Sequence, residues 1–130
     1  MEAETRLLDL AAEISALPPI GAVDAALRRL VAAYAPDAPL PRALARGWLA
    51  SQGNKTALLA LSWARERLRL ALEEVLVHRA TTPGALPGNP ETRSRLILAA
   101  CEAVALEPPS AVADRLRTLL ELNGCPVDPV

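Results

Sequence analysis

An all-α fold, a six-helix orthogonal bundle around one long central helix, is what this sequence predicts, on three observations. All 12 prolines fall into a few clusters, at 18–19, 36–41, 83–90, 108–109 and 126–129, and none interrupts a helical pattern. Proline inside a helix costs ~3 kcal/mol, so the clusters mark the helix breaks. The six stretches between them carry apolar residues at helical spacing, and none alternates as a half-buried strand would. Finally, residues 54–79 run for 26 residues without a glycine or proline. As a helix that stretch is about 39 Å long, the depth of a small domain.

The first stretch, 4–17, puts Leu7, Leu10, Ala11, Ile14 and Leu17 on one face, with acids opposite. The second, 21–35, repeats the pattern through Val23, Leu27, Leu30, Val31 and Tyr34, with Arg28 and Arg29 toward the outside. A short third helix is expected over 41–51, with Pro41 in its first turn and Leu44, Trp48 and Leu49 on its inner edge. Ser51-Gln52-Gly53 breaks the chain, and Asn54 suits the N-cap of the central helix.

The central helix is apolar on two sides. Leu58, Leu61, Ala64, Leu68, Ala71, Leu72, Val75 and Leu76 line one broad face; Leu59, Trp63, Leu70 and Val77 form a narrower strip across it. Two apolar sides predict packing on two sides, with Trp63 turned inward.

After it, 80–88 reads as a loop with two Pro-Gly turn signals. Asn89-Pro90-Glu91 restarts a helix: a capping Asn, Pro at the first helical position, then an acid near the positive end. This fifth helix, to about residue 106, is apolar nearly all round, which predicts burial by its own fold or cover from another chain. Pro108-Pro109-Ser110 ends it and is expected to cap the sixth, 111–122, whose stripe is Val112, Leu116, Leu119 and Leu120. Asn123-Gly124 is a stop signal. Residues 1–124 thus form one domain, and 125–130 an extended or loose tail.

Composition narrows the function classes. At 130 residues the chain suits one domain that buries about two-thirds of its unfolded surface. Its formal net charge of −1 lacks the basic surplus of a general nucleic-acid binder. With no Phe, one Tyr and two Trp, the core must be filled by Leu, Ala, Val and Ile. Cys101 and Cys125 are too few for a disulfide scaffold and wrongly spaced for zinc. No signal-peptide pattern opens the chain and no apolar run is long enough to span a bilayer, so a reduced, cytoplasmic location is expected. The lone His78 cannot build a histidine metal cluster, and glycine-rich nucleotide loops are absent. Glu73 and Glu74 are adjacent and point about 100° apart, no catalytic dyad. The expectation is no enzyme, no cofactor and no metal; a small hydrolase around His78 is the weaker alternative.

Candidate binding residues are few. Arg67, Glu74 and His78, at i, i+7 and i+11, share one stripe of the central helix bordered by Trp63. They read either as polar anchors of an apolar pocket or as a solvated seam. Tyr34, Trp48 and Trp63 either gather around a planar ligand or simply fill the core. Cys101, mid-helix among Ile97, Leu98, Ala100 and Val104, reads as a small hydrophobe.

With the helix order in hand, residues 68–106 (LRLALEEVLVHRATTPGALPGNPETRSRLILAACEAVAL) resemble the C-terminal effector-binding domain of TetR-family transcriptional regulators. There a long helix ends in a basic, small-residue run, followed by a G-x-L turn, here Gly84-Ala85-Leu86, and an Asn-Pro-type helix start, here Asn89-Pro90-Glu91. The likeness extends loosely over 22–124. It implies that the last two helices form a homodimer interface through Ile97, Ala100, Cys101, Val104, Leu116, Leu119 and Leu120. It also implies a site for a mainly apolar small molecule near Tyr34, Trp48, Trp63 and Arg67. The family begins with a three-helix DNA-binding domain of roughly 50 residues, whereas here about 20 precede the second helix. No direct nucleic-acid contact is expected of this chain, whether it is a separate regulatory domain, a shortened chain or a relative that lost DNA binding. A non-enzymatic scaffold or partner-binding protein with a filled core is the alternative.

Overall fold

A computed structural model of the chain describes residues 1–80 and 88–127. It is all-helical, with six α-helices and no strand among the described residues: α1 (Glu2–Ser15), α2 (Ala22–Ala33), α3 (Pro39–Ala50), α4 (Lys55–Ala80), α5 (Pro90–Val104) and α6 (Val112–Leu122). A single 3-10 turn, Pro109–Ala111, leads into α6. Of the loop expected over 80–88, residues 81–87 with the Gly84-Ala85-Leu86 turn lie outside the described residues, as do 128–130 of the tail, and Ala80 ends α4.

Each boundary has a local cause. Glu2 and Glu4 sit in the first turn of α1, where carboxylates complement the positive helix end. Helix α3 starts two residues before the expected Pro41, because Pro39 already supplies a first-turn φ and needs no N–H partner. Asn54 caps α4, its Oδ1 accepting from Ala57 N at 3.1 Å. Asn89 caps α5, accepting from Glu91 N at 2.8 Å and Thr92 N at 3.4 Å. The expected cap from Ser110 is a correction: no side chain caps α6, whose entry is the 3-10 turn instead. At its far end Gly124, at φ 69°, turns the chain so that Gly124 N reaches Glu121 O and Cys125 N reaches Leu120 O, the Schellman pattern.

Helix α4 touches α1 most extensively, and also α5, α2 and α3; α6 packs on α2 and α5. Leu61, Ala64, Leu68, Leu72 and Leu76 on the broad face of α4 are fully buried. They share one core with Leu7 and Ile14 of α1, Leu27 and Leu30 of α2, and Leu98 and Cys101 of α5. Each such leucine contributes roughly 2 kcal/mol relative to exposure. Where α3 meets α1, Gly47 permits the approach: a Cβ there would lie 3.1 Å from Ala3 Cβ. The tail expectation is also corrected in part, since Cys125 and Val127 pack against the core.

The second apolar strip of α4 is not packed. Leu59, Trp63, Leu70 and Val77 are 64%, 55%, 43% and 47% exposed. Among the described residues no helix covers that side, and the inward orientation predicted for Trp63 is wrong. The helix is covered on one broad face and open along the other.

Candidate functional site

Alongside the open strip, α1 and α4 enclose a surface groove of about 740 Å³. Leu8, Ala11, Ala12 and Ser15 wall it from α1; Trp63, Arg67, Leu70, Ala71, Glu73 and Glu74 wall it from α4. Both sets follow helical spacing, so the groove is the trough between two neighbouring helices. The α1 wall is small and uncharged. All the charge comes from α4.

Trp63 and Arg67, one turn apart, form a unit at this groove: the Arg67 guanidinium carbon sits 5.5 Å from the Trp63 ring centroid, a cation–π contact. Among the described residues no carboxylate pairs with Arg67, and Glu74 makes no ion pair. Glu73 is already engaged, through Arg69.

Arg69 braces the wall from behind. It is 5% exposed, a charge inside the α4–α5 contact. Its Nη1 donates to Glu73 Oε1 at 3.1 Å and to Ser94 Oγ at 3.0 Å, while Nε donates to Glu66. The buried Ser94 hydroxyl in turn donates to Glu91 O at 2.7 Å. The bond to Glu66, above all, holds the guanidinium pKa above its ordinary value despite burial. A second clamp joins the same helices: Arg65 Nε and Nη2 donate to the two oxygens of Glu102 at 2.8 and 2.7 Å. These polar ties fix α4 against α5, and their partners were not legible as pairs in the sequence because they lie 25 and 37 positions apart.

Of the four residues expected around a ligand, the structure brings two together. Trp63 and Arg67 share the groove. Tyr34 does not line it: it is 1% exposed, fills the core at the end of α2, and its hydroxyl has no hydrogen-bond partner among the described residues. Burial, then the nearby Glu102 charge, pushes its pKa up. Trp48, on α3, is 38% exposed and also lies outside the groove. No gathering of the three large rings occurs, and the interior around α4 is filled by leucines.

The residues assigned to a dimer interface divide differently. Ile97, Cys101, Val104 and Leu120 are buried in this chain's own core, and Leu116 and Leu119 are partly buried against it. Ile97, Cys101 and Leu120 cannot meet a second chain without unpacking the first, and for them the assignment is corrected; Val104 and Leu119 border a surface hollow with Ala100 and Ala103. Ala100 alone is exposed, and it belongs to an outer face of α5 formed by Leu96, Ala99, Ala100 and Ala103. Leu96 is 66% exposed. Ile97, Ala100, Cys101 and Val104 have the same i, i+3, i+4, i+7 rhythm as this outer set, which is why the sequence did not separate them.

Cys101 is an inert thiol: burial, with a smaller push from Glu102, raises its pKa to about 12. His78 lies away from the groove, bordering a separate hollow of about 320 Å³ with Val75, Asn123 and Cys125. Burial also raises the Cys125 thiol, whose Sγ donates to Asn123 O at 3.9 Å. A nucleophilic cysteine needs the opposite shift. No group of three or more His, Cys, Asp or Glu converges to hold a metal, and no helix is long and apolar enough to cross a membrane, among the described residues. Comparisons with known protein families, with curated proteins and with solved structures find no match to this chain.

Proposed function

We propose that this chain is a non-enzymatic binding domain of the TetR-like regulatory kind, which takes its ligand in the open α1–α4 groove and not in an interior cavity. The observation that carries the reading is Trp63: a large ring, over half exposed, held under Arg67 on the groove wall. An indole in that position adds little to the fold, whereas exposed apolar strips rimmed by charge mark sites of association. Native mass spectrometry of the purified chain, beside its Trp63→Ala variant, tests this. Retained or added ligand should be lost from the variant while its helicity is unchanged. Equal ligand binding by both would contradict the groove.

Pairing with a second copy belongs to the same proposal, through the outer face of α5. Leu96 and Ala103 stand equally far from the midpoint between Ala99 and Ala100. A two-fold axis through that midpoint sets Leu96 on one copy against Ala103 on the other, large against small. Light scattering should give twice the chain mass, falling to a single chain in Ala103→Glu. A monomer before any substitution would contradict the pairing.

A further inference from the structure

The groove between α1 and α4 is built for an elongated occupant. From Trp63 to Glu74 it follows twelve residues of α4, about 16 Å of helix rise. Small-molecule pockets surround most of their ligand. This trough is open along its length, and four of its α4 residues, Trp63, Arg67, Leu70 and Glu74, face solvent. Its α1 wall, Leu8, Ala11, Ala12 and Ser15, is low enough for another backbone to approach. The two groove charges without an ion-pair partner among the described residues are of opposite sign, Arg67 and Glu74, seven residues and about 10.5 Å of helix rise apart, with Leu70 and Ala71 between them. Seven residues is two helical turns, the spacing at which a second helix lying in the trough presents side chains on one face.

We infer that the groove receives an amphipathic α-helix of a partner protein. That helix lays its apolar stripe on Leu8, Ala12, Leu70 and the Trp63 edge, brings an Asp or Glu to Arg67, and brings a Lys or Arg to Glu74 two turns away. The inference rests on the reading of the groove as the ligand site and names the class of ligand. Opposite charges at the two ends exclude helices with like charges at both positions, so specificity comes from repulsion as much as attraction.

The test uses a display library of amphipathic helical peptides, roughly five turns long, with apolar positions fixed and polar positions free to be Glu, Lys or Ala. The full chain is the target and its Trp63→Ala variant the counter-target. Enriched peptides should carry an acid and a base seven residues apart, and should bind Trp63→Ala at least about tenfold more weakly by fluorescence anisotropy. Selection against Arg67→Glu, which keeps the indole, should favour bases at both positions. Enrichment without that charge spacing, or with affinity indifferent to both substitutions, overturns the helix proposal. So does loss of a dimer in Trp63→Ala, which would make a second copy the occupant. If 1-anilinonaphthalene-8-sulfonate binds in a Trp63-dependent way and no peptide does, the groove is a small-molecule site and only the helix proposal falls. If neither binds, both fall.

Discussion

The two apolar sides of α4 are composed of the same kinds of residue and meet opposite fates. Leu61, Leu68, Leu72 and Leu76 are fully buried; Leu59, Trp63, Leu70 and Val77, on the other side of the same helix, are about half exposed or more. Helix propensity and hydropathy do not distinguish them. What differs is what lies opposite: α1, α2, α3 and α5 pack against the helix, and among the described residues no helix covers the strip of Leu59, Trp63, Leu70 and Val77. An apolar residue on a helix therefore specifies burial only where the rest of the chain can reach it. A second apolar strip that nothing reaches stays at the surface, where it forms an exposed apolar patch.

The largest expected effect comes from the buried side. Leu68→Ala should cost about 3 kcal/mol by chemical denaturation, from lost transfer energy plus a cavity in a filled core, while Leu59→Ala should stay within about 0.5 kcal/mol. Comparable losses at both sites would break the contrast. Next comes the brace behind the groove. Arg69→Ala strips two carboxylates of their partner and leaves Ser94 only its bond to Glu91 O; since Glu66 and Glu73 keep partial access to water, a loss of about 2 kcal/mol is expected, less than for a fully enclosed pair. A variant as stable as the parent would show that Arg69 is not seated between α4 and α5.

Helix ends give a smaller, sharper comparison. Asn54→Ala and Asn89→Ala should each cost about 1 kcal/mol, because each side chain accepts a first-turn N–H. Ser110→Ala should be nearly neutral, since no such bond forms there. A Ser110 loss equal to the other two would restore the cap read from the sequence.

The pH dependence concerns Cys101. Its folded pKa is raised from the ordinary 9.0 to about 12, so the folded state holds the proton longer than the unfolded chain. Stability from this group is therefore fully present below pH 9 and is lost as pH rises from there toward 12. Melting temperature should fall more steeply across that window in the parent than in Cys101→Ala; parallel curves would place the thiol in water. Tyr34 shifts in the same direction and remains in both proteins.

The helices were legible because proline clusters and apolar rhythm are local signals. Asn54 and Asn89 were legible for the same reason, since a cap is a contact three residues long. Trp63 was not. Whether it faces a neighbour depends on where α1 comes to rest, and i, i+4 spacing says nothing about that. Ile97 and Ala100 show the limit most plainly: adjacent stripes on α5, equal in rhythm, yet Ile97 is core and Ala100 is surface. Leu96, Ala99 and Ala103 carry no signal that sets them apart from the buried stripe, because both stripes are apolar at the same spacing. Arg69 with Ser94 and Arg65 with Glu102 were invisible for a related reason, as charge partners on different helices leave no periodic trace.

The most direct measurement is acrylamide quenching of Trp63 fluorescence in a Trp48→Phe background, at a dilution where the chain is monomeric. An open strip predicts red-shifted emission and quenching close to that of a free indole, reduced when a groove-binding peptide is added. Blue-shifted emission with strong protection in the monomer would mean that α4 is covered on both sides, and the groove would not exist.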